Sequence, residues 1–225
     1  TNMRDAGEYT RLTNSKKTAG ISITLTATPD LGYNFLGWYS GETLVFSGKS
    51  YTFDMPRENL NLTAKFELDP AMENLEFSST ATTCTIHGTT DETITTLIIP
   101  DYVTSIGLYA FSDCTSLTSV TLGNSVESIE AYAFDKCTSL TSVYMPSSLK
   151  TISSYAFRYC AFRSITIPEN VTSIGYDAFG SCSKLIEVIN KSTLTITKGA
   201  SDNGDVGFYA LEIHDGTSKI VDKDG

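Results

Sequence analysis

Thr104-Ser-Ile-Gly-Leu-Tyr-Ala-Phe111-Ser-Asp-Cys114-Thr-Ser-Leu117-Thr-Ser-Val120 decides the fold, because the chain goes on to repeat it. Glu127–Val143 reads ESIEAYAFDKCTSLTSV, Lys150–Ile165 reads KTISSYAFRYCAFRSI, and Thr172–Val188 reads TSIGYDAFGSCSKLIEV. Phe111, Phe134, Phe157 and Phe179 fall at spacings of 23, 23 and 22 residues. Ala110, Ala133, Ala156 and Ala178 keep step, as do Cys114, Cys137, Cys160 and Cys182. A fixed period in the twenties marks a solenoid, in which each repeat buries its apolar face only against its neighbours. Residues 94–196 are therefore expected to stack as one right-handed solenoid of roughly five rungs.

Each copy carries an L-x-x-V/I-x-L/I segment. Leu117, Val120 and Leu122 fill it first, then Leu140, Val143 and Met145, then Phe162, Ile165 and Ile167, and finally Leu185 and Val188. A half-repeat, Ile94, Leu97 and Ile99, precedes them. Successive side chains of a strand point to opposite faces. If Val120, Val143 and Ile165 point inward, their neighbours form two outward columns. One is Thr96, Ser119, Ser142, Ser164 and Glu187; the other is Ile98, Thr121, Tyr144, Thr166 and Ile189. Tyr144, Ser119, Thr121, Ser142, Ser164 and Thr166 are the candidate ligand-binding residues. Tyr144 is the expected anchor, since it joins apolar area to a hydrogen-bonding tip. Ser and Thr also suit exposed strand positions with no ligand at all.

Val103/Ile106, Val126/Ile129, Leu149/Ile152 and Val171/Ile174 are expected to build the opposite wall. The Y-A-F-x-x-C stretch is too short for a full helix and reads as a helical turn packing Ala, Phe and Cys inward. Copy three is one residue short at Cys160-Ala161-Phe162, which predicts a local bump in the stack rather than a lost rung.

Residues 1–68 lack the beat. Ile21, Ile23, Leu25 and Ala27 alternate along one strand, and Tyr33-Asn-Phe-Leu-Gly-Trp38-Tyr39 forms an aromatic second one. Ser50–Met55 and Asn61–Phe66 complete a small all-β unit with Trp38 as its core anchor. Residues 69–93 form a junction in which Leu75–Phe77 and Thr83–Ile86 could pair as a hairpin and cap the stack. Residues 94–215 are the solenoid with its closing segment, and the polar tail 216–225 should fray.

The net charge is −10, and it is uneven: residues 71–225 hold 9 Lys/Arg against 18 Asp/Glu. Such an acidic surface repels phosphate backbones and anionic membranes, so neither nucleic acid nor direct membrane insertion is expected. No apolar run reaches the roughly 18 residues of a membrane helix. The chain opens on Thr1 with no basic-then-apolar leader, which reads as a mature or cut start from which signal and anchor have been lost.

Five Cys are present, four of them at one position of the repeat. Equivalent Cβ vectors on stacked rungs run parallel, so these thiols should be free, buried and in line rather than disulfide-bonded. Replacing Cys137 with Ser is expected to bury a hydroxyl with no partner. Cys84-Thr-Ile-His87 suggests a Cys–His pair, but residues three apart in a strand point to opposite faces, so the two read as unrelated cap residues. Ser201-Asp-Asn-Gly-Asp205 clusters oxygen donors but lacks the other ligands of a calcium loop and reads as a solvated turn. No nucleophile, base and orienter set occurs, so no catalytic residue, metal site or cofactor is expected and the chain reads as a non-enzyme.

Over residues 97–189 the copies resemble the leucine-rich repeats of the BspA type, found in surface proteins of gut and oral bacteria and some protists. TLTATPDLGYNFLGWYSG, YTFDMP and NLTAKFE, within residues 20–67, resemble the divergent B-repeat of internalin-like bacterial surface proteins. The resemblance implies a leucine-rich-repeat solenoid preceded by a β-grasp-like spacer, on an extracellular or cell-surface protein. It further implies an adhesin-like role, with a host matrix protein, another microbial surface or a glycan as partner. The alternative is a structural stalk that displays some other domain.

Overall fold

The computed structural model describes residues 20–57, 60–215 and 219–220, with backbone alone at 215, 219 and 220. The chain divides into two compact units. One runs to Glu73 and includes Thr80–Thr82; the other holds Asn74–Ser79 and everything from Thr83.

The first unit has five strands: β1 (Ser22–Thr26), β2 (Tyr33–Ser40), β3 (Thr43–Phe46), β4 (Ser50–Asp54) and β5 (Thr63–Leu68). β1 pairs with β4, and β2 lies between β3 and β5, all antiparallel. Leu25, Ala27, Trp38, Leu62 and Ala64 are its buried core, packed by Ile23, Phe35, Tyr51, Phe53, Leu60 and Phe66. Ile21, expected on the inner face, is instead half exposed at the strand's start. β3 was not legible in the sequence: every residue of it is exposed, so no apolar alternation marks it. The register of β2 on β5 shifts between Phe35 and Gly37, where Gly37 adopts φ 147°. A Cβ there would strike Leu44 and lie 2.9 Å from the Phe46 carbonyl. Gly37→Ala should therefore destabilise this unit by about 1–3 kcal/mol, read as a lower urea midpoint of Trp38 fluorescence.

The second unit begins with a hairpin, β6 (Leu75–Ser79) and β7 (Cys84–Thr89). From there the chain alternates between two walls. The front strands are β8 (Thr96–Ile98), β10 (Ser119–Thr121), β12 (Ser142–Tyr144), β14 (Ser164–Ile167), β16 (Glu187–Asn190) and β17 (Glu212–Asp215). The back strands, β9 (Ser105–Ile106), β11 (Ser128–Ile129), β13 (Thr151–Ile152) and β15 (Ser173–Ile174), continue in parallel from β7. The result is a β-solenoid of about six turns, one more than the repeats alone suggested. The added front rung is β17, which lies in register beside β16. A last strand, β18 (Lys219–Ile220), pairs antiparallel with β17. The tail expected to fray from residue 216 thus includes a strand; residues 216–218 and 221–225 lie outside the described residues.

Between the walls the repeated residues stack in files. Phe111, Phe134, Phe157 and Phe179 are fully buried and lie face to face at 5.3, 5.2 and 5.4 Å between centroids. The Y-A-F-x-x-C stretch is not the helical turn read from sequence. It is a run of tight turns in which Tyr109, Tyr132, Tyr155 and Asp177, and then Asp113, Lys136, Tyr159 and Ser181, all take positive φ. Left-handed backbone at these positions lets Ala and Phe face inward while the Tyr side chains lie outside. Inter-rung bonds such as Phe111 N–H to the Ala133 carbonyl (2.8 Å) and Asp113 N–H to the Asp135 carbonyl (2.9 Å) compensate the strain.

All five Cys are free and buried. Three of them have a hydrogen-bond partner. The thiols of Cys137, Cys160 and Cys182 donate to the carbonyls of Phe111, Phe134 and Phe157 at 3.1, 3.3 and 3.1 Å. A hydroxyl in Cys137→Ser would meet the same carbonyl, so the unpartnered group expected from sequence does not arise. Burial pushes the thiols of Cys137 and Cys182 up to about 12 and that of Cys84 up to about 11.

The front ladder is interrupted once. β8, β10 and β12 form one sheet, and β14, β16, β17 and β18 another. The break falls at copy three, where the missing residue draws Phe162 fully into the core, edge-on to Phe157 at 5.7 Å. This is the local bump expected there: the rung survives, but its hydrogen bonds to β12 do not.

Candidate binding surface

The parallel register aligns the two outward columns. Thr96, Ser119 and Ser142 are successive partners, as are Ile98, Thr121 and Tyr144. Beyond the break, Ser164 aligns with Glu187 and Thr166 with Ile189. Val120 and Ile165 point inward and are buried, which forces their neighbours out. Thr121, Ser142, Tyr144 and Ser164 are exposed, while Ser119 and Thr166 are partly covered. Some of the hydroxyl capacity is already spent along the stack. Ser119 Oγ donates to Thr96 Oγ1 at 3.3 Å, and Thr118 and Thr141 bond the carbonyl one rung back.

Tyr144 stands at the discontinuity. Its carbonyl accepts from Leu122 N–H at 3.2 Å on one side, while the β14 side carries no ladder. Val143 beneath it is only half buried. With 54% of its surface exposed, Tyr144 is the one large aromatic of the front strands and stands where one front sheet ends. Ile98 is more exposed still, at 70%, and gives the face an apolar end that the hydroxyl pattern hid.

Two features went unread in the sequence. The first is a Tyr file beside the Phe file: Tyr109, Tyr132 and Tyr155 stack at 4.7 Å, and Tyr176 meets Tyr155 edge-on at 5.6 Å. Arg158 lies over it, with its guanidinium carbon 4.7 Å from the Tyr155 ring and 5.2 Å from Tyr159. The guanidinium also makes two 2.9 Å bonds to the carboxylate of Asp135, a side chain only 5% exposed. Those bonds raise the pKa of Arg158 further above its ordinary range. The signal was available, because Asp135 and Arg158 are one period apart, as are Asp113/Lys136 and Glu127/Lys150, which also pair. Arg158→Ala should cost about 2–4 kcal/mol in urea denaturation, since it leaves a buried carboxylate unpaired, and Arg158→Lys should recover only part of that.

The second is at the end of the face. β17 carries both columns one rung further, with Glu212 beside Glu187 and His214 beside Ile189. His214, which no motif of the sequence marks, belongs to the front face. His87 remains apart, bonding Ser78 Oγ at 2.7 Å, and Cys84, three residues earlier on β7, is buried while His87 is exposed. Within Ser201–Asp205, read as a solvated turn, Asn203–Asp205 instead forms a short 3-10 helix with Gly204 buried, its carbonyl accepting from Phe179 N–H at 2.8 Å, and Asn203 Nδ2 donates to the Thr195 carbonyl. No helix among the described residues is long and apolar enough to cross a membrane.

The family model "BspA type Leucine rich repeat region" matches residues 66–203 in six copies, more than half of the chain. The chain belongs to the BspA-type leucine-rich repeat family. A second model, "Divergent InlB B-repeat domain", matches residues 2–70. No match is found among curated proteins. Among solved structures, a leucine-rich repeat protein from Bacteroides ovatus is 22% identical, with 64% of this chain and 52% of that one covered and a TM-score of 0.41. The Treponema pallidum leucine-rich repeat protein is 21% identical, with 63% and 83% covered and a TM-score of 0.47. A leucine-rich cell surface protein from Faecalibacterium prausnitzii is 22% identical, with 54% of each chain covered and a TM-score of 0.34. The chain spans about half the length of the first and third of these. The BspA-type and B-repeat families are repeat-protein folds, and no catalytic family is indicated.

Proposed function

We propose that the chain is the binding part of an extracellular or cell-surface protein, adhesin-like, and that the front face is its contact surface. The partner would be a host matrix protein, another microbial surface or a glycan. The observation that carries this is the exposed Tyr144 at the interrupted ladder, flanked in register by Thr121 and bordered by Ser119, Ser142, Ser164 and Thr166. An aromatic with a polar tip, set in a flat field of hydroxyls, suits a hot spot surrounded by weaker contacts. The excess of acidic residues favours a neutral or basic partner, and contacts with a basic one should weaken as salt rises.

The test is direct binding to a panel of matrix proteins and glycans, followed by Tyr144→Ala and the double variant with Thr121→Lys against whichever partner is found. Both sites are exposed, so folding should persist while affinity falls about tenfold or more, the loss of one hot-spot aromatic. Unchanged affinity in the double variant would move the contact off this face. A panel with no binder at all would favour the stalk.

A further inference from the structure

We propose that Glu187, Glu212 and His214 form a divalent metal site at the C-terminal end of the front face, taking zinc or a chemically similar ion. The proposal does not depend on the face binding a protein or glycan. The parallel ladder sets Glu187 directly beside Glu212, and His214 follows Glu212 by two residues on the same side of β17. One carboxylate oxygen from each Glu and one ring nitrogen of His214 all lie within 4.8 Å of one another. Nε2 of His214 is 3.5 Å from Oε1 of Glu187 and 3.5 Å from Oε2 of Glu212.

That distance is informative. It is longer than a charge-assisted hydrogen bond, which runs to about 2.9 Å. It is close to the edge of a tetrahedron whose centre sits about 2.0–2.1 Å from imidazole nitrogen and carboxylate oxygen, an edge of roughly 3.3–3.4 Å. The donor set also suits the ion. Imidazole favours zinc, nickel and copper over calcium and magnesium, while two carboxylates supply the neutralising charge. Three protein donors leave a fourth position open to water or to a ligand group. The donors are mounted on paired strands rather than on a loop, and the His214 side chain is only 24% exposed. Arg163 is the opposing charge: it lines, with Ser164, Ile186, Glu187, Leu211 and Glu212, a groove of about 270 Å³ next to the cluster. The five thiols are all buried and do not compete in the folded chain.

The experiment is calorimetric titration of the tag-free chain with Zn²⁺ alone at pH 7.5. About one equivalent should bind, and affinity should fall about tenfold or more in His214→Ala and in Glu212→Gln, since even supporting residues of a metal site cost that much. Arg163→Ala should not weaken binding. Should either ligand variant fail to fold by circular dichroism, the spectrum of the wild-type chain with Co²⁺ decides. Visible bands without a thiolate charge-transfer band support the site; a thiolate band places the ion on Cys and overturns it. The proposal is also overturned by absence of binding to Zn²⁺, Co²⁺ and Ni²⁺, or by affinity unchanged in both variants. The cluster would then be no more than His214 set between two glutamates.

Discussion

Phe134→Ala lowers the stability of the solenoid by about 3–5 kcal/mol, the range for emptying a buried aromatic site. Phe134 has no exposed surface and is covered on both faces, by Phe111 at 5.3 Å and by Phe157 at 5.2 Å with planes 1° apart. A solenoid has no distant core to collapse into the space, since each rung touches only its neighbours. The loss therefore falls on two interfaces at once. Phe111→Ala should cost less, because Phe111 has a Phe ring stacked on one side only. Chemical denaturation followed by far-ultraviolet circular dichroism gives both values. Equal costs for the two variants, or a cost below about 1 kcal/mol at Phe134, would mean that the file is not the structural spine of this unit.

Alkaline pH should undo the same unit. An unfolded thiol titrates near 8.5, whereas burial holds those of Cys137 and Cys182 near 12 and raises that of Cys160 well above the usual range. Between these limits the folded chain keeps protons that the unfolded chain has released. Folded-state pKa values are raised, so the contribution is fully present below about pH 8.5 and is lost as pH rises towards 12. The slope is up to about 1.4 kcal/mol per pH unit for each such thiol. Urea midpoints at pH 8, 9, 10 and 11 measure it, and Cys137→Ser removes one thiol's share of the slope. In the native chain at pH 8, Cys137, Cys160 and Cys182 should resist a thiol reagent that labels all of them in urea. Rapid native labelling of any of the three, or a slope identical in the variant, would contradict their burial.

The solenoid was legible because its signal is redundant. A register error at one copy is corrected by the others, and Val120, Ile165 and Val188 had to face inward once the Phe and Cys files did. The outward columns followed from strand alternation alone, and their order matches the ladder register. The short third copy likewise announced a defect, although not that the front sheet would divide there. Strand β3 and the tight turns were not legible. An exposed four-residue strand carries no apolar period, and positive φ at Tyr and Lys is imposed by the stack against their own preference.

The linear order of residues thus determined the period, the buried files and the hydroxylated face, because each depends only on spacing within one strand or between equivalent rungs. Tertiary structure alone decided what lies beside what across unequal separations. Glu187 and Glu212 are 25 residues apart with no shared motif, yet the closing segment folds back in register and brings His214 to them. The closing segment departs from the repeat, so its spacing carries no register. Only the hydrogen bonds of β17 on β16 set its alignment and, with it, the cluster at the end of the face.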